Sequence, residues 1–451
     1  VAIADVAAYV RPGSPMDREA KLRGNSTYFP DRVVPMLPER ISNDLCSLRE
    51  GEVRPAMAVR MVFAKDGRKT RHSFHRVLMR SAKRLAYADA QKIADGTEAD
   101  VAPIVADLWA AYACLKRGRE AREPLELDLP ERKIVLTPQG RVDRVIVPER
   151  LDAHKLIEEF MIQSNVAAAE ICEEHKIPLL YRVHDAPSPE KTDALREFLA
   201  TLDIRLARGA HLKPMQFNAI LAKVEGTPNG QLVNEVVLRS QTQAEYAPGN
   251  LGHFGLNLRR YAHFTSPIRR YSDLIVHRAL IRALGLGEDG LTDAEMADLT
   301  AIGEAISATE RRSMQAERET IDRLIATWLA DKMGANFEGR IAGVTKAGLF
   351  IKLSDSGADG FVPISTLLAE YLVYDEVAHA LIGEESGTTF RLGDEVTVRL
   401  LEAAPLSGGL RFDIVRHEGT AAPRRPQRRA PAKGGRREPR HGAKRGGRRR
   451  R

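Results

Sequence analysis

The chain of 451 residues has few cysteines and no long apolar runs. Its three cysteines, Cys46, Cys114 and Cys172, lie far apart and do not have metal-ligand spacing. We therefore interpret them as small apolar residues in a reducing compartment, with a cytoplasmic location as the simplest expectation. No apolar stretch approaches the length that spans a bilayer, and no signal peptide is visible, so we expect no membrane partner.

An excess of basic over acidic residues is confined to the last part of the chain. Residues 421–451 hold 14 Lys/Arg and the single acid Glu438, so this segment carries +13. Because the formal net charge of the whole chain is +8, the first 420 residues sum to −5. The tail is rich in Pro, Gly and Arg, which predicts a disordered segment that binds polyanions in a salt-sensitive way.

The stretch Gly252–Leu274, GHFGLNLRRYAHFTSPIRRYSDL, concentrates aromatic, histidine and arginine side chains. Thr265-Ser266-Pro267 predicts a helix start, because hydroxyl residues cap helices and proline suits the first helical position. Arg269 and Arg270 then fall in the first turn, where the helix dipole favours anions. A bound phosphate would explain cations at this end. The alternative is that both arginines lie on the surface and pair with carboxylates.

Other candidate residues lie earlier in the chain. Tyr28 stands in a proline-containing loop, where an exposed ring can stack on a base, although a ring folded back onto the core is equally open. Tyr87 begins a predicted helix. A long helix is predicted over Ala153–Glu174, and it carries Glu158 and Glu159 in its first turns, where acids suit the helix dipole.

The periodicity changes towards the end of the chain. Residues 292–333 are charged and almost free of Gly and Pro, which predicts a long connecting helix. From Phe337 onwards, about five short β-rich runs alternate with glycines over roughly eighty residues. This pattern favours a small barrel of the oligonucleotide-binding type.

Several motifs together resemble a known family. In chain order they are VAIADVAAYV, TYFPDRVVPMLPERISNDLCSL, IEEFMI, YRVHDAP and GHFGLNLRRYAHFTSPIRRYSDLIVHR. They resemble the catalytic (RNB) domain of the ribonuclease II / ribonuclease R family. GRIAGVTKAGLFIKL, GFVPISTL and FRLGDEV resemble the S1 domain that ends those enzymes, and the Arg-rich tail suits a ribonuclease R-like member.

The resemblance implies an α+β fold with four parts. Residues 1–285 would form the RNB catalytic domain, a mixed sheet with surrounding helices, and residues 286–334 a helical connector. Residues 335–416 would form the S1 domain, a small all-β OB-fold barrel, and residues 417–451 a disordered basic tail.

The resemblance also implies a function. Family members are processive 3′→5′ exoribonucleases that release nucleoside 5′-monophosphates with Mg²⁺ as cofactor. The expected partner is therefore RNA with a single-stranded 3′ end, and no DNA is expected. We further expect a monomer, with ribosome or RNA-decay partners as candidates for the basic tail.

Site residues carry over motif by motif. Arg269 matches the arginine held against the scissile phosphate, where it can stabilise developing charge. Tyr28 resembles the aromatic that clamps the 3′-terminal nucleotide, and Glu158 the acid that contacts it. For the barrel aromatics, the alternative to base stacking is a place in the core. The RNA-binding residues implied in this way are Tyr28, Tyr87, Glu158, Arg270, Phe337 and Phe350.

The chain departs from the family at the metal site. The family's metal-binding aspartates form a run with an Asp-Asp pair just upstream of the strand that matches VAIADV, and this chain has no Asp-Asp pair. Asp5 lies in the matching strand but does not match a metal ligand. We therefore expect an amino-terminally truncated fragment without the metal ligands, inactive alone. The alternative is a non-catalytic RNA-binding protein, which differs from the first reading in its lack of hydrolysis.

Overall fold

The computed structural model describes residues 1–97, 99–207, 212–376 and 378–417. The helices are α1 (Pro15–Arg23), α2 (Tyr87–Ala94), α3 (Ala102–Arg122), α4 (Asp152–Glu174), α5 (Pro189–Ala200), α6 (Pro214–Val224), α7 (Gly230–Ser240), α8 (Tyr271–Leu284), α9 (Asp293–Ala297) and α10 (Leu299–Ala330). The strands are β1 (Ala2–Ala4), β2 (Thr27–Tyr28), β3 (Val33–Val34), β4 (Val53–Phe63), β5 (Lys69–Arg80), β6 (Lys133–Leu136), β7 (Val142–Ile146), β8 (Tyr181–Val183), β9 (Glu245–Ala247), β10 (Asn336–Thr345), β11 (Gly348–Leu353), β12 (Asp359–Pro363), β13 (Leu372–Asp375), β14 (Ala380–Gly383), β15 (Thr389–Arg391), β16 (Glu395–Ala404) and β17 (Gly409–His417).

A three-stranded antiparallel sheet in the order β1-β4-β5 forms part of the first half of the chain. Its long hairpin turns at Gly67, whose φ of +85° lies in the region that favours glycine. The first strand is shorter than the apolar stretch VAIADVAAYV suggests. It ends because Asp5 caps a 3₁₀ turn over Val6–Ala8, accepting a hydrogen bond from the Ala8 N–H at 3.3 Å.

Helix α8 lies in the main core. Every residue from Tyr271 to Ile281 is buried, including Arg278. A buried cation is costly unless it is paired. The Arg278 guanidinium donates to Asp17 on α1 at 2.8 Å and to Glu295 on α9 at 2.5 Å. These ion pairs fix both helices to α8.

Helix α4 confirms the helix predicted over Ala153–Glu174 and connects the core to the motif-rich stretch. Ala167, Ala168 and Ala169 are fully buried, and such small side chains allow close packing. The buried Asn165 amide donates to the Tyr261 hydroxyl at 2.8 Å, while its carbonyl accepts the Phe264 N–H at 2.9 Å. The segment just before the Ser266–Arg270 turn is thereby held against α4.

The predicted small barrel is confirmed as a closed five-stranded barrel in the order β10-β11-β12-β17-β16. Helix α10 belongs to two cores at once. Near its start, Ile302 and Ile306 pack in the main core with α8. Near its end, Ile325 and Leu329 are buried in the barrel core.

Helix α7 makes polar contacts with the barrel. The Glu235 side chain is 12% exposed and pairs with Arg340 and with Lys352, the latter at 3.6 Å. Arg239 donates from both terminal nitrogens to the Ala342 carbonyl at 3.1 Å. Ion pairs and hydrogen bonds thus link the barrel to the rest of the molecule.

The helix start predicted at Thr265-Ser266-Pro267 is wrong. Residues 267–269 form a turn in which the Ser266 carbonyl accepts the N–H groups of both Arg269 and Arg270 at 3.1 Å. Arg270 is extended and bridges to Asn25, so the helix begins only at Tyr271. The two arginines therefore precede the helix instead of occupying its first turn.

Two further predictions concern the basic tail and the lack of membrane-spanning segments. The predicted disordered tail lies outside the described residues, apart from its first position, His417. Among the helices that the structure describes, none is both long and apolar enough to cross a membrane.

Candidate functional site

The turn at residues 266–270 is organised by one buried carboxylate. Asp273 is fully buried and accepts hydrogen bonds from the Ser266 N–H at 2.7 Å, the Ser272 hydroxyl at 2.9 Å and the Arg270 guanidinium at 2.8 Å. A charged acceptor makes these bonds stronger than neutral ones. The conformation of the turn is therefore fixed from inside the protein.

Arg269 and Arg270 have opposite environments. The Arg270 side chain is 18% exposed and bound by Asp273. Arg269 is exposed, and no described residue forms an ion pair or hydrogen bond with its guanidinium. Its five N–H donors are available to a ligand, whereas direct contact of Arg270 with RNA stays a prediction.

Arg269 and Tyr28 line the same cavity, which has a volume of 210 Å³. The Tyr28 side chain is 46% exposed. Backbone hydrogen bonds hold the two residues together, since the Ser26 N–H donates to the Arg269 carbonyl at 3.0 Å and the Tyr271 N–H to the Gly24 carbonyl at 2.9 Å. An exposed ring and a free cation thus face one space, although 241 positions separate them in the sequence.

The third wall of this cavity comes from α10. The helix contributes Glu310, which pairs with Arg182 at 2.7 Å, and Glu317, which accepts the Tyr28 N–H at 2.6 Å. Tyr246 lies on the same wall, beneath the Arg182 guanidinium at 4.6 Å from the ring centroid. The cavity therefore combines one free cation with acids that already have partners.

A row of histidine and tyrosine rings, with the tyrosines buried and the histidines partly buried, extends from the cavity residue Tyr246. His184, His253, Tyr261, His263 and Tyr246 follow one another with ring centroids 5.1 to 5.6 Å apart. Burial lowers the pKa of His253 to about 3 and holds the pKa of His263 well below its usual value. These imidazoles are neutral near pH 7 and pack as a scaffold.

Tyr87 and Glu158 both lie near the start of α4, outside the set of residues that line this cavity. The Tyr87 ring stacks on His154 with centroids 4.0 Å apart, and Glu158 follows one helical turn later. The Glu158 side chain is 36% exposed and pairs with Arg119 at 3.4 Å and with Arg150. Its neighbour Glu159 is buried instead.

The barrel aromatics divide into one exposed and one half-buried residue. Phe350 is 44% exposed and lies 5.1 Å from the Phe361 ring. Phe337 is partly buried against the barrel core. The structure therefore offers Phe350 with Phe361 as a stacking surface, while Phe337 contributes to packing.

Carboxylates in the described residues do not make a metal centre. No group of three or more His, Cys, Asp or Glu side chains that could hold a metal ion occurs in the described part of the chain. The buried acids are already engaged: Asp5 by Arg76 at 2.6 Å, for example, and Asp273 by Arg270. A metal-binding cluster is absent from these residues.

Comparison with family models places this site in a known context. The model described as RNB domain matches residues 1–285, and the model described as S1 RNA binding domain matches residues 331–405. The chain belongs to the RNB domain family. Membership in this family suggests a divalent metal cofactor, for which the described residues supply no cluster.

Relatives in this RNB family are similar over most of the chain. Ribonuclease R of Escherichia coli is 41% identical over 414 residues, which are 89% of this chain and 51% of the relative. Ribonuclease R of Aquifex aeolicus is 39% identical over 421 residues, covering 92% of this chain and 60% of the relative. The chain thus spans about half the length of the curated relatives it matches.

A solved RNB protein has the same fold. The structure of Mycoplasma genitalium RNase R in complex with ribose methylated single-stranded RNA superimposes with a TM-score of 0.87 at 28% identity. The match covers 92% of this chain and 66% of that chain. The predicted α+β architecture with its terminal barrel is thereby confirmed.

Three contributors to the cavity and to the barrel surface were not predicted from the sequence. Asp273 lies in the quoted motif, but only the fold places its carboxylate inside the turn. Phe361 follows a glycine in an alternating strand, a signal that could have paired it with Phe350. The wall from α10 carries no local signal, because its contacts with residues 25–28 join distant parts of the chain.

Proposed function

We propose that this chain binds the 3′ end of single-stranded RNA as the substrate-holding part of a processive 3′→5′ exoribonuclease, which releases nucleoside 5′-monophosphates. The observation that carries the proposal is the cavity where exposed Tyr28 faces the unpaired guanidinium of Arg269. Base–aromatic stacking contributes about 1–3 kcal/mol per base, and a guanidinium fork matches a phosphate. The name Ribonuclease R of the curated relatives and their similarity over most of this chain support it.

Each residue has a proposed role. Tyr28 stacks on the 3′-terminal base, and Glu158 contacts the same nucleotide from the start of α4. Arg269 contacts the scissile phosphate, and Tyr87 is a further RNA contact near Glu158. Phe350, next to Phe361, offers a stacking surface for RNA upstream, and Phe337 adds an RNA contact elsewhere in the barrel, on β10. Arg270 supports the turn from within and contacts the RNA backbone only through its exposed edge.

The proposal also includes the domain boundaries, the oligomeric state, the role of the tail and the metal. We assign residues 1–285 to the RNB domain, 286–334 to the connector, 335–416 to the S1 domain and 417–451 to the tail. We propose a monomer whose basic tail adds non-specific RNA affinity. The metal of the complete enzyme is proposed to be Mg²⁺, for which the described residues supply no ligand cluster.

The proposal predicts RNA binding without hydrolysis by the 451-residue chain. A 3′-labelled RNA oligonucleotide is incubated with the chain and Mg²⁺, and released monophosphates are separated from intact RNA. We expect binding that weakens steeply with salt and no release. Metal-dependent release by this chain would contradict its proposed inactivity.

A fusion protein distinguishes the proposed exoribonuclease from the second candidate function, a non-catalytic RNA-binding protein. The absence of a metal-binding cluster among the described residues favours keeping this candidate. The chain is joined at its amino terminus to the preceding segment of a relative ribonuclease R, which carries the family's aspartate run. Release of monophosphates by the fusion supports the exoribonuclease, while RNA binding without release supports the binding protein.

A further inference from the structure

A second cavity lies between the barrel and the helices α5 and α7. Its walls come from these two helices, from the end of β10 and from the residues just before β14 and just after β15. The volume of 280 Å³ is close to the lower end of the roughly 300–1,000 Å³ range of ligand clefts, which suits a single nucleotide. The RNB match and the S1 match both contribute to this space.

The wall of this cavity is largely apolar. Leu195 of α5 and Val344 of β10 are buried there, and Val236 of α7 is half-buried. The half-buried His379 ring adds a flat surface and makes an edge contact with Phe198, with ring centroids 5.7 Å apart. Burial lowers the pKa of His379, so its imidazole is neutral near pH 7. Side chains of this kind are a surface on which a nucleobase can pack.

Two cations line the same cavity. Lys191 is exposed and forms no ion pair with any described residue, and its ammonium donates to the Gln241 carbonyl at 2.8 Å. The Arg239 side chain is 55% exposed, donates to the Ala342 carbonyl and lies 3.9 Å from Glu235. Both retain free donors, because an ammonium has three N–H groups and a guanidinium five. No carboxylate occurs among the described residues that line the cavity, so its charge favours an anion.

A β-bulge connects the cavity with the stacking surface of the barrel. The register of β10 against β11 shifts at Ala342, whose carbonyl accepts Arg239. The next residue, Gly343, is directly opposite Phe350, and a Cβ atom there would lie 3.3 Å from the Phe350 side chain. Gly343 also lines the cavity, and Phe350 in turn is opposite Phe361. The cavity and the two rings are therefore neighbours on one outer face of the barrel.

We propose that this cavity holds one nucleotide of the RNA, next to the Phe350–Phe361 surface, with its base on the apolar wall and its phosphate at Lys191 and Arg239. This inference rests on the RNA binding proposed above. A planar base matches the wall, and a phosphate matches cations that no acid of the cavity neutralises. An RNA strand bound in this way contacts the RNB and S1 regions at once.

The experiment measures binding of a fluorescent oligoadenylate to the full chain without divalent metal, at several salt concentrations. Ala194 is exposed on α5 and lines the cavity, so Ala194→Trp fills it with an indole. We expect about tenfold weaker binding, as for the loss of one stacked base. Lys191→Ala removes one phosphate contact, so the slope of log affinity against log salt should become shallower by about 0.7.

Matched substitutions control for the added ring and the lost charge. Ala200→Trp adds an indole at an exposed position of α5 outside the cavity, and we expect no change in affinity. Lys223→Ala removes an exposed lysine of α6 and should leave the salt slope unchanged. Lys191→Arg keeps the cation and should keep the slope. Melting temperatures are measured for every variant.

The outcomes separate this inference from the proposed function. Unchanged binding in Ala194→Trp, together with weaker binding in Tyr28→Ala, would overturn the inference and leave the proposed function intact. An unchanged salt slope in Lys191→Ala would overturn the phosphate contact, whatever the stability of Ala194→Trp. No RNA binding by the unmodified chain would overturn the proposed function and this inference with it.

Adenosine 5′-monophosphate distinguishes a nucleotide of RNA from a free one. We expect it to bind this cavity much more weakly than the oligoadenylate, because it lacks the adjoining stack on Phe350. Binding of the monophosphate that Ala194→Trp abolishes, with no change in RNA affinity, would assign the cavity to free mononucleotides and overturn its role in RNA binding.

Discussion

At the scale of single residues, Arg269 and Arg270 demonstrate how burial divides two adjacent identical side chains. Asp273 draws Arg270 inward and satisfies it, and the turn then presents Arg269 outward. A guanidinium paired with a buried carboxylate stabilises the fold, while an unpaired one is available to a phosphate. The division of roles follows from one carboxylate.

Alanine substitution should separate these roles. We expect Arg270→Ala to lower the free energy of unfolding by about 3 kcal/mol, because it leaves Asp273 buried without its cation. Arg269→Ala should leave stability unchanged, since its guanidinium has no partner among the described residues. Urea denaturation of both variants measures the difference. Equal stability losses would contradict the assignment.

Arg269 is also expected to affect the rate of RNA hydrolysis in the fusion with the preceding segment of a relative. Arg269→Ala should lower single-turnover rates by about 10²–10³-fold while RNA affinity changes little, because a donor to developing charge acts mainly in the transition state. Equal losses of rate and affinity would make Arg269 a simple backbone contact.

The sequence could indicate this site only in part. The aromatic and basic residues of Gly252–Leu274 predicted an anion site, and the family motifs predicted Tyr28 and Arg269 as its members. The reason given for the site was wrong, because the helix begins at Tyr271. The difference between Arg269 and Arg270 depends on Asp273 and on the bridge to Asn25, a contact between distant parts of the chain that periodicity does not reveal.

At the scale of elements, α10 is the helix that contacts both the segment carrying Tyr28 and the barrel core. Its length and charge pattern predicted a connecting helix, and the structure confirms a helix over Leu299–Ala330. The pattern could not predict which face touches residues 24–28, since polar residues such as Ser313 and Glu317 resemble a solvated surface. Contact with another element, and not local propensity, gives this face its role.

Glycine substitutions test the closeness of this contact. Gly24 and Gly13 have nearly equal φ angles, +71° and +70°, but a Cβ at Gly24 would overlap Thr309 whereas Gly13 faces open space. We expect Gly13→Ala to cost about 1 kcal/mol of stability from backbone strain alone, and Gly24→Ala about 3 kcal/mol. Thermal unfolding of both variants checks this, and adding Thr309→Ala should recover part of the loss in Gly24→Ala. Equal costs would mean that the helix does not press on this segment.

At the scale of the whole molecule, the barrel is joined to the rest by α10 and by Glu235. Arg340 and Lys352 both turn towards this one carboxylate, which is largely buried. Removing one partner of a buried ion pair leaves the others uncompensated. Glu235 therefore docks the barrel together with the hydrogen bonds that Arg239 donates to the Ala342 carbonyl and with the apolar packing of α10.

Glu235→Ala should loosen this docking. We expect a loss of about 3 kcal/mol in unfolding free energy and a barrel transition that separates from the main transition in calorimetry. Glu225→Ala, which removes an exposed carboxylate after α6, is the matched control and should have no effect. A single unchanged transition in Glu235→Ala would show that the packing of α10 and the Arg239 hydrogen bonds dock the barrel without this carboxylate.

The contacts of Thr309, Ser313 and Glu317 on α10 with residues 24–28 also determine where the chain can be recombined with its relatives. An exchange at residue 285, where the RNB family match ends, would combine Tyr28 with a foreign Ser313 and Glu317. An exchange between Glu317 and Asp322 keeps the aromatic residue with its native support and replaces only the barrel half of the helix. In a chimeric enzyme the functional boundary would thus lie more than thirty residues beyond the end of the RNB family match.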